Sequence, residues 1–135
     1  NKMSKTLDNH LDLASTPEET TKRVLTAYTD PQRLRRDNPG RPEVCNVYSL
    51  HKIFSGTEAT TTIYEECTTA TRGCVDCKRH LADNINEYLS ELRERRADIK
   101  ARPGYVQDIL HEGGKRARSI AQETIAEVYD KMGLA

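Results

Sequence analysis

Tryptophan is missing from this chain and phenylalanine occurs once, so aromatic residues make up 5% of its 135 positions. Any core it forms must be built mainly from aliphatic side chains. Net charge is lacking too, since 21 Lys and Arg stand against 21 Asp and Glu. That balance excludes a uniformly basic arm gripping a polyanion by net charge alone. No apolar run approaches the roughly 20 residues needed to cross a bilayer, and no charged-then-apolar leader opens the chain. The expectation is therefore a soluble, cytoplasmic protein with no membrane association. Strand signals are almost absent as well. A length of 135 residues suits one domain and suffices to bury about two thirds of the unfolded surface without staples. The first residue is Asn1 rather than Met, and a compact motif comes immediately after it. The chain is therefore expected to be a piece excised from a longer protein.

The zero net charge conceals a pattern. Residues 1–42 carry +2, 43–77 carry −3, 78–118 carry +3 and the remainder −2. The sharpest cluster is Gln32 to Arg41, where Arg33, Arg35, Arg36 and Arg41 face only Asp37. Local patches of this kind can hold a polyanion with salt-dependent affinity, and they can equally be solvated helix faces.

Helix signals recur along the chain. Thr16-Pro17-Glu18-Glu19 is a strong start: Thr16 can cap, Pro17 occupies the first helical position, and Glu19 completes a capping box. This helix is expected to reach Tyr28, with Val24, Leu25 and Tyr28 on one face, and Thr29-Asp30-Pro31 stops it. Asp37-Asn38-Pro39-Gly40-Arg41-Pro42 reads as a rigid loop. A second helix is expected over Glu43 to Phe54, ended by Ser55-Gly56. The stretch from Thr57 to about Thr69 is rich in β-branched residues, which favour a strand locally. It has no alternating partner nearby and is assigned to a helix. Apolar residues at three- and four-residue steps predict one long helix from Cys74 to Arg102, with Leu81, Ile85, Tyr88 or Leu89, Leu92 and Ile99 facing inward. Pro103-Gly104 breaks it. A short helix over Tyr105 to His111 is expected to end at Gly113-Gly114, and a last helix carries Ile120, Ile125, Val128 and Met132, with Gly133 as its C-cap. The fold class is all-α, a helical bundle with short connections.

Four cysteines, Cys45, Cys67, Cys74 and Cys77, are separated by gaps of 21, 6 and 2 residues. In a cytoplasmic protein such a set points to a metal site before a disulfide framework. Structural zinc sites usually present two short-spaced pairs, and only Cys74 and Cys77 form one in this chain. A [4Fe–4S] cluster takes one thiolate per iron and tolerates mixed gaps. The predicted helix start at Cys74 adds partial positive charge that favours thiolates. Zinc, with His80 as a possible further ligand, and free thiols remain the alternatives. His10, His51 and His111 carry no distinct signal.

Lys2-Met3-Ser4-Lys5-Thr6 places two lysines around a hydroxyl in a loop, an arrangement able to neutralise a triphosphate while charge develops at its α-phosphate. This segment resembles the K-M-S-K-S signature of class I aminoacyl-tRNA synthetases. The remainder of the chain resembles the C-terminal part of the tryptophan branch of that family. The likeness rests on Thr29-Asp30-Pro31, the arginine-rich stretch to Pro39-Gly40, and Pro42-Glu43-Val44-Cys45-Asn46-Val47-Tyr48. It continues through Gly73-Cys74-Val75-Asp76-Cys77-Lys78, Glu94-Arg95-Arg96, Gly114-Lys115-Arg116-Ala117-Arg118 and Met132-Gly133-Leu134. The sister tyrosine branch shares the first motif but not the cysteine-containing segments. The cysteine spacing also resembles a pattern in some bacterial members that bind [4Fe–4S] near the anticodon-binding region, with a slightly shorter long gap in this chain. Two positions depart from the family pattern. Thr6 is a conservative hydroxyl swap, and Asp8 stands where Gly is usual, which puts ATP affinity in question.

The resemblance implies a division of the chain into a catalytic loop over residues 1–14 and a helical anticodon-binding domain over 15–135. It implies ATP, with magnesium, as a substrate of the intact enzyme, contacted by Lys5 with Lys2 and Ser4 assisting. Tryptophan and tRNA(Trp) would be the other partners, and the intact enzyme a homodimer through a region outside this chain, leaving this piece monomeric and inactive alone. Arginines and lysines that could meet the tRNA are Arg33, Arg35, Arg36, Lys78, Arg79, Lys115, Arg116 and Arg118. A reading from a different class also stands at this point: an iron–sulfur electron-transfer or redox-sensing helical module with no RNA role. A third is a helical interaction module whose opening motif is accidental.

Overall fold

The computed structural model describes residues 4–134, and Lys2, one of the motif lysines, lies outside them. The described residues form six α-helices and one 3₁₀ turn, with no strand among them. The elements are α1 (Pro17–Leu25), the 3₁₀ turn Pro42–Val44, α2 (Asn46–Phe54), α3 (Thr57–Thr68), α4 (Cys74–Tyr88), α5 (Ser90–Lys100) and α6 (Tyr105–Met132). The chain separates into two compact units with the boundary between Arg93 and Glu94.

In the first unit α1 begins as its sequence dictates. The Thr16 hydroxyl accepts from the Glu19 N–H and the Glu19 carboxylate accepts from the Thr16 N–H, which satisfies two donors that a helix start otherwise leaves open. The helix ends before the expected Tyr28, because Thr26 turns its N–H and its hydroxyl back onto the Arg23 carbonyl. Leu25 and Tyr28 are consequently exposed, while Val24 is buried. The expected helix over Glu43–Phe54 is divided at Cys45, whose backbone is extended (φ −97°, ψ 117°) and caps α2. Pro42, buried at the head of the 3₁₀ turn, sets this up: proline starts a turn readily, and a tight 3₁₀ turn rarely continues far.

The threonine-rich segment is helical, as assigned. Thr60, Thr61, Thr62 and Thr68 each donate a hydroxyl to the carbonyl four residues back, at 2.5–3.2 Å. This is the outlet that lets such residues sit in a helix. The long helix expected over Cys74–Arg102 is interrupted at Leu89, which caps α4 (φ −90°, ψ −2°). The hydrogen-bond ladder still spans the interruption through Leu89 N–H to Ile85 and Arg93 N–H to Leu89. Leu89, not Tyr88, is the buried member of that pair.

The core joins α1, α2 and α4. Val24, Val47, Leu81, Ala82, Ile85 and Leu89 form it, with Leu11, Ala27, Leu50, Phe54, Cys45 and Cys77 packed around them. Leu81 and Ile85 fall on one face of α4 four residues apart, so a single stripe meets both neighbours. Between α1 and the 3₁₀ turn, Asp30 organises the loop. Its carboxylate accepts from the N–H groups of Gln32 and Arg41 and from Nε and Nη2 of Arg41, the last at 2.7 Å. These donors hold the Asp30 carboxyl well below the usual carboxylate range.

In the second unit, α6 runs unbroken for 28 residues, correcting the expected stop at Gly113-Gly114. Each glycine costs a helix about 1 kcal/mol relative to alanine, a penalty rather than a prohibition. The adjoining Lys115-Arg116-Ala117-Arg118 are good helix formers, and the Lys115–Glu112 ion pair at 2.8 Å spans the glycines. Gly133 closes the helix in the left-handed conformation (φ +67°), with Leu134 N–H bonded to the Tyr129 carbonyl.

Candidate functional site

The four cysteines come from separate places in the sequence and line one recess. Cys45 caps α2, Cys67 lies in the last turn of α3, and Cys74 and Cys77 occupy the first turn of α4. Thr29, Arg33, Val47, Tyr48, Ile63 and Arg72 complete its wall. All four thiols are free and partly buried. The loop that carries the arginines reaches this wall through Gly40, whose N–H donates to the Cys67 carbonyl at 2.9 Å. A Cβ at that position would stand 2.6 Å from the Cys67 sulfur, so only glycine permits the approach.

Two of the thiols and two guanidiniums set the electrostatics of the recess. Burial pushes the Cys77 thiol up to about 12 and raises Cys67 in the same direction. Arg33 Nη1 lies 3.6 Å from the Cys67 sulfur, and its Nε is buried with no hydrogen-bond partner. Arg33 Nη2 donates to the carbonyls of Arg36 and Arg72, at 2.9 and 2.8 Å. Arg72 is itself fixed by an ion pair to Glu66. His51, which carried no signal in the sequence, is fully buried behind the recess. Its Nδ1 meets the Ser55 hydroxyl at 2.6 Å, and its Nε2 lies 3.1 Å from the Cys77 carbonyl and 3.4 Å from the Cys77 sulfur. Burial lowers the His51 pKa to about 4, so the ring is neutral at pH 7.

This set of donors fits some metals better than others. Among the described residues no three Cys, His, Asp or Glu side chains converge on a point where one ion could be held. Tetrahedral zinc requires four donors about 2.0–2.3 Å from one centre, and the arrangement does not supply that. A cluster asks only that each thiolate reach its own iron around a larger body. Four thiols line one recess, with two guanidiniums on its wall and a buried Arg33 Nε–H lacking an acceptor.

The remaining candidates take up distinct positions. Lys78 donates Nζ to the Leu25 carbonyl at 2.9 Å and so finishes α1. Asp76 stands 4.0 Å from Arg36 and 3.9 Å from Arg79, and Arg35 is exposed on the same loop as Arg36. Lys115, Arg116 and Arg118 are exposed on α6 in the second unit. At the start of the chain, Ser4 accepts from the Leu7 N–H through its hydroxyl at 3.2 Å and donates its own N–H to Asn9 Oδ1 at 2.8 Å. The Lys5 carbonyl accepts from Asp8 N–H at 3.1 Å, which closes a turn and leaves Lys5 exposed.

An all-helical fold behind a lysine-bearing turn narrows the class, and comparison with known proteins supplies it. The model of the family "tRNA synthetases class I (W and Y)" matches residues 1–90, two thirds of the chain, and the chain belongs to that family. Its relatives are more particular. It is 40% identical over 134 residues to the tryptophan–tRNA ligase of Aquifex aeolicus and 41% identical over 132 residues to that of Deinococcus radiodurans. Each comparison covers 98% of this chain but 34% and 40%, respectively, of the relative. The chain thus spans well under half the length of these relatives. The crystal structure of the Campylobacter jejuni tryptophanyl-tRNA synthetase complexed with ADP and tryptophan superposes with a TM-score of 0.86 at 28% identity, covering 98% of this chain and 41% of the other. These relatives do not favour an electron-transfer or redox-sensing module.

Proposed function

We propose that this chain is the C-terminal part of a tryptophan–tRNA ligase, an enzyme that attaches tryptophan to tRNA(Trp) using ATP. The observation that carries this reading is identity of about 40%, running through 98% of the chain, to ligases of that one specificity. Residues 1–14 serve as its catalytic loop, where Lys5 and Lys2 neutralise the phosphates of magnesium-bound ATP and the Ser4 hydroxyl donates to a phosphate oxygen. Residues 15–135 serve the tRNA, with single-stranded anticodon bases held by stacking and edge contacts and phosphates met by basic side chains. Of the basic candidates, Arg35, Arg36 and Arg79 lie on the elements that border the cysteine recess, and all three are exposed. Arg33 and Lys78 spend their donors on backbone carbonyls, so they shape the surface more than they read RNA. Lys115, Arg116 and Arg118 offer phosphate contacts from the second unit. The intact enzyme works in the cytoplasm as a homodimer joined outside this chain, and this part alone is monomeric and inactive.

The four cysteines hold a [4Fe–4S] cluster in this reading. When bound, the group supplies an anionic cross-link between the start of α2, the end of α3 and the start of α4. The chain's own residues do the rest. Arg33 and Arg72 balance the added negative charge, Gly40 admits the loop against Cys67, and neutral His51 supports the Cys77 turn from behind. Anaerobic reconstitution with ferrous iron and sulfide would give broad visible absorbance and about four irons per chain, whereas loading with zinc alone or with nothing contradicts the cluster.

Aminoacylation by the full-length protein tests the main reading. Charging of tRNA(Trp) with tryptophan, and not of tRNA(Tyr) with tyrosine, is the expected result, and tyrosine charging would overturn it.

A further inference from the structure

The backbone of Asp8 is left-handed, with φ +46°. Aspartate is one of the few residues other than glycine that enters this region without prohibitive strain. Its side chain is not idle. Arg23, 15 residues later on α1, uses its guanidinium fork on both acceptors of Asp8: Nη1 donates to the backbone carbonyl, and Nη2 donates to carboxylate Oδ1 at 2.6 Å. Planar guanidinium suits this two-point grip, and lysine could supply only one point. The residue gripped in this way is also the one whose N–H closes the turn onto the Lys5 carbonyl. A direct chain of contacts therefore runs from α1 through Arg23 and Asp8 to the residue assigned to ATP.

The pair lies at the surface, with the Asp8 side chain 77% exposed, and pairs of this kind add little to folding stability. Their effect on a charged substrate is different. An aspartate three residues from Lys5 opposes an incoming triphosphate unless its charge is cancelled locally. We propose that Arg23 is a positioning residue for the ATP loop: by gripping the carbonyl and carboxylate of Asp8 it holds the left-handed turn that presents Lys5 and neutralises the carboxylate that would otherwise repel ATP. The proposal rests on the reading of Lys5 as an ATP contact. The charge that Asp8 brings beside Lys5 thus arrives with its own counterion.

The test uses the full-length protein in tryptophan-dependent ATP–pyrophosphate exchange, with Arg23→Ala, Arg23→Lys, Asp8→Asn, the Asp8→Asn/Arg23→Ala double variant, and Lys5→Ala. Arg23→Ala is expected to raise the KM for ATP about two- to five-fold, the range available to one exposed charge-assisted pair, with the KM for tryptophan unchanged. Arg23→Lys recovers only part of the loss. In the Asp8→Asn background, where there is no charge left to cancel, removing Arg23 should cost less than half as much on a logarithmic scale. Amide hydrogen exchange provides a readout independent of catalysis: residues 4–9 exchange faster in Arg23→Ala while the α1 amides do not. Wild-type ATP KM and loop exchange in Arg23→Ala, beside an impaired Lys5→Ala, would overturn the clamp. An unchanged ATP KM in Lys5→Ala is a separate failure, that of the ATP reading on which the proposal rests.

Discussion

Replacing Gly40 by alanine puts the architecture of the cysteine recess to a direct trial. The added Cβ would lie 2.6 Å from the Cys67 sulfur and 3.3 Å from Arg33 Cδ and Nη1, and carbon and sulfur do not approach so closely without movement. Two responses are open. The backbone at Gly40 can withdraw, which strains its hydrogen bond to the Cys67 carbonyl. Overpacking of this sort costs about 1–3 kcal/mol. Alternatively Cys67 can rotate about χ1, which relieves the clash at little cost in stability but takes its sulfur out of the recess. Urea denaturation of the reduced chain measures the first response, and iron content after anaerobic reconstitution measures the second. The expected result is a lowered midpoint, reduced iron loading, or both. A Gly40→Ala protein with the parental midpoint and the parental iron content would refute the placement of the arginine loop against Cys67.

Other consequences are simpler. Leu81→Ala removes a fully buried side chain from the α4 stripe and should lower the unfolding free energy by about 2–5 kcal/mol, read by denaturant titration; a change within about 0.5 kcal/mol would contradict its central place. Gly113→Ala and Gly114→Ala meet open space within 4 Å and should each increase α6 helicity by circular dichroism, at about 1 kcal/mol of helix stability apiece. A loss of helicity would contradict the continuous helix. Asp30 is held in its charged form by Arg41 and backbone N–H groups, so its folded pKa lies below the unfolded value of about 3.9. The stability it contributes is present above that pH and is lost as the pH falls below it. Asp30→Asn should therefore be less stable than the parent at neutral pH and should flatten the acid limb of the stability profile. An unaltered acid limb would exclude Asp30 as its source.

Much of the fold could be read locally. The Thr16–Glu19 capping box, the α4 stripe of Leu81 and Ile85 and the Gly133 cap are signals contained within a few residues, and each appears in the structure. The differences arise where a local rule meets a competing contact. Gly113-Gly114 looks like a stop because the glycine penalty is visible in sequence, while the compensating helix formers and the Lys115–Glu112 pair count only when summed. Tyr28 has the right spacing for a core position, but Thr26 ends its helix first. The recess was legible as four cysteines and no further. Nothing in the spacing indicates that Gly40 must touch Cys67, that Arg33 is turned inward onto two carbonyls, or that His51 is buried behind Cys77. Those are tertiary relations between loops and helix ends, and the sequence carries no periodicity that reports them. A glycine between Pro39 and Arg41 was the one available hint, and it reads equally well as a turn. Arg23 had no signal at all, because its partner is 15 residues away across a loop.

The central claim is that this helical part selects a tRNA, and equilibrium binding of tRNA(Trp) to the full-length protein bears on it most directly. Binding is measured at a stated salt concentration and compared with that of the same tRNA carrying a substituted anticodon. Because phosphate contacts alone give salt-dependent affinity without sequence preference, the comparison isolates recognition of the anticodon. The natural anticodon is expected to bind clearly more tightly, with the difference diminished when Arg35 and Arg36 are replaced by alanine. Equal affinity for the two tRNAs at every salt concentration would contradict the claim.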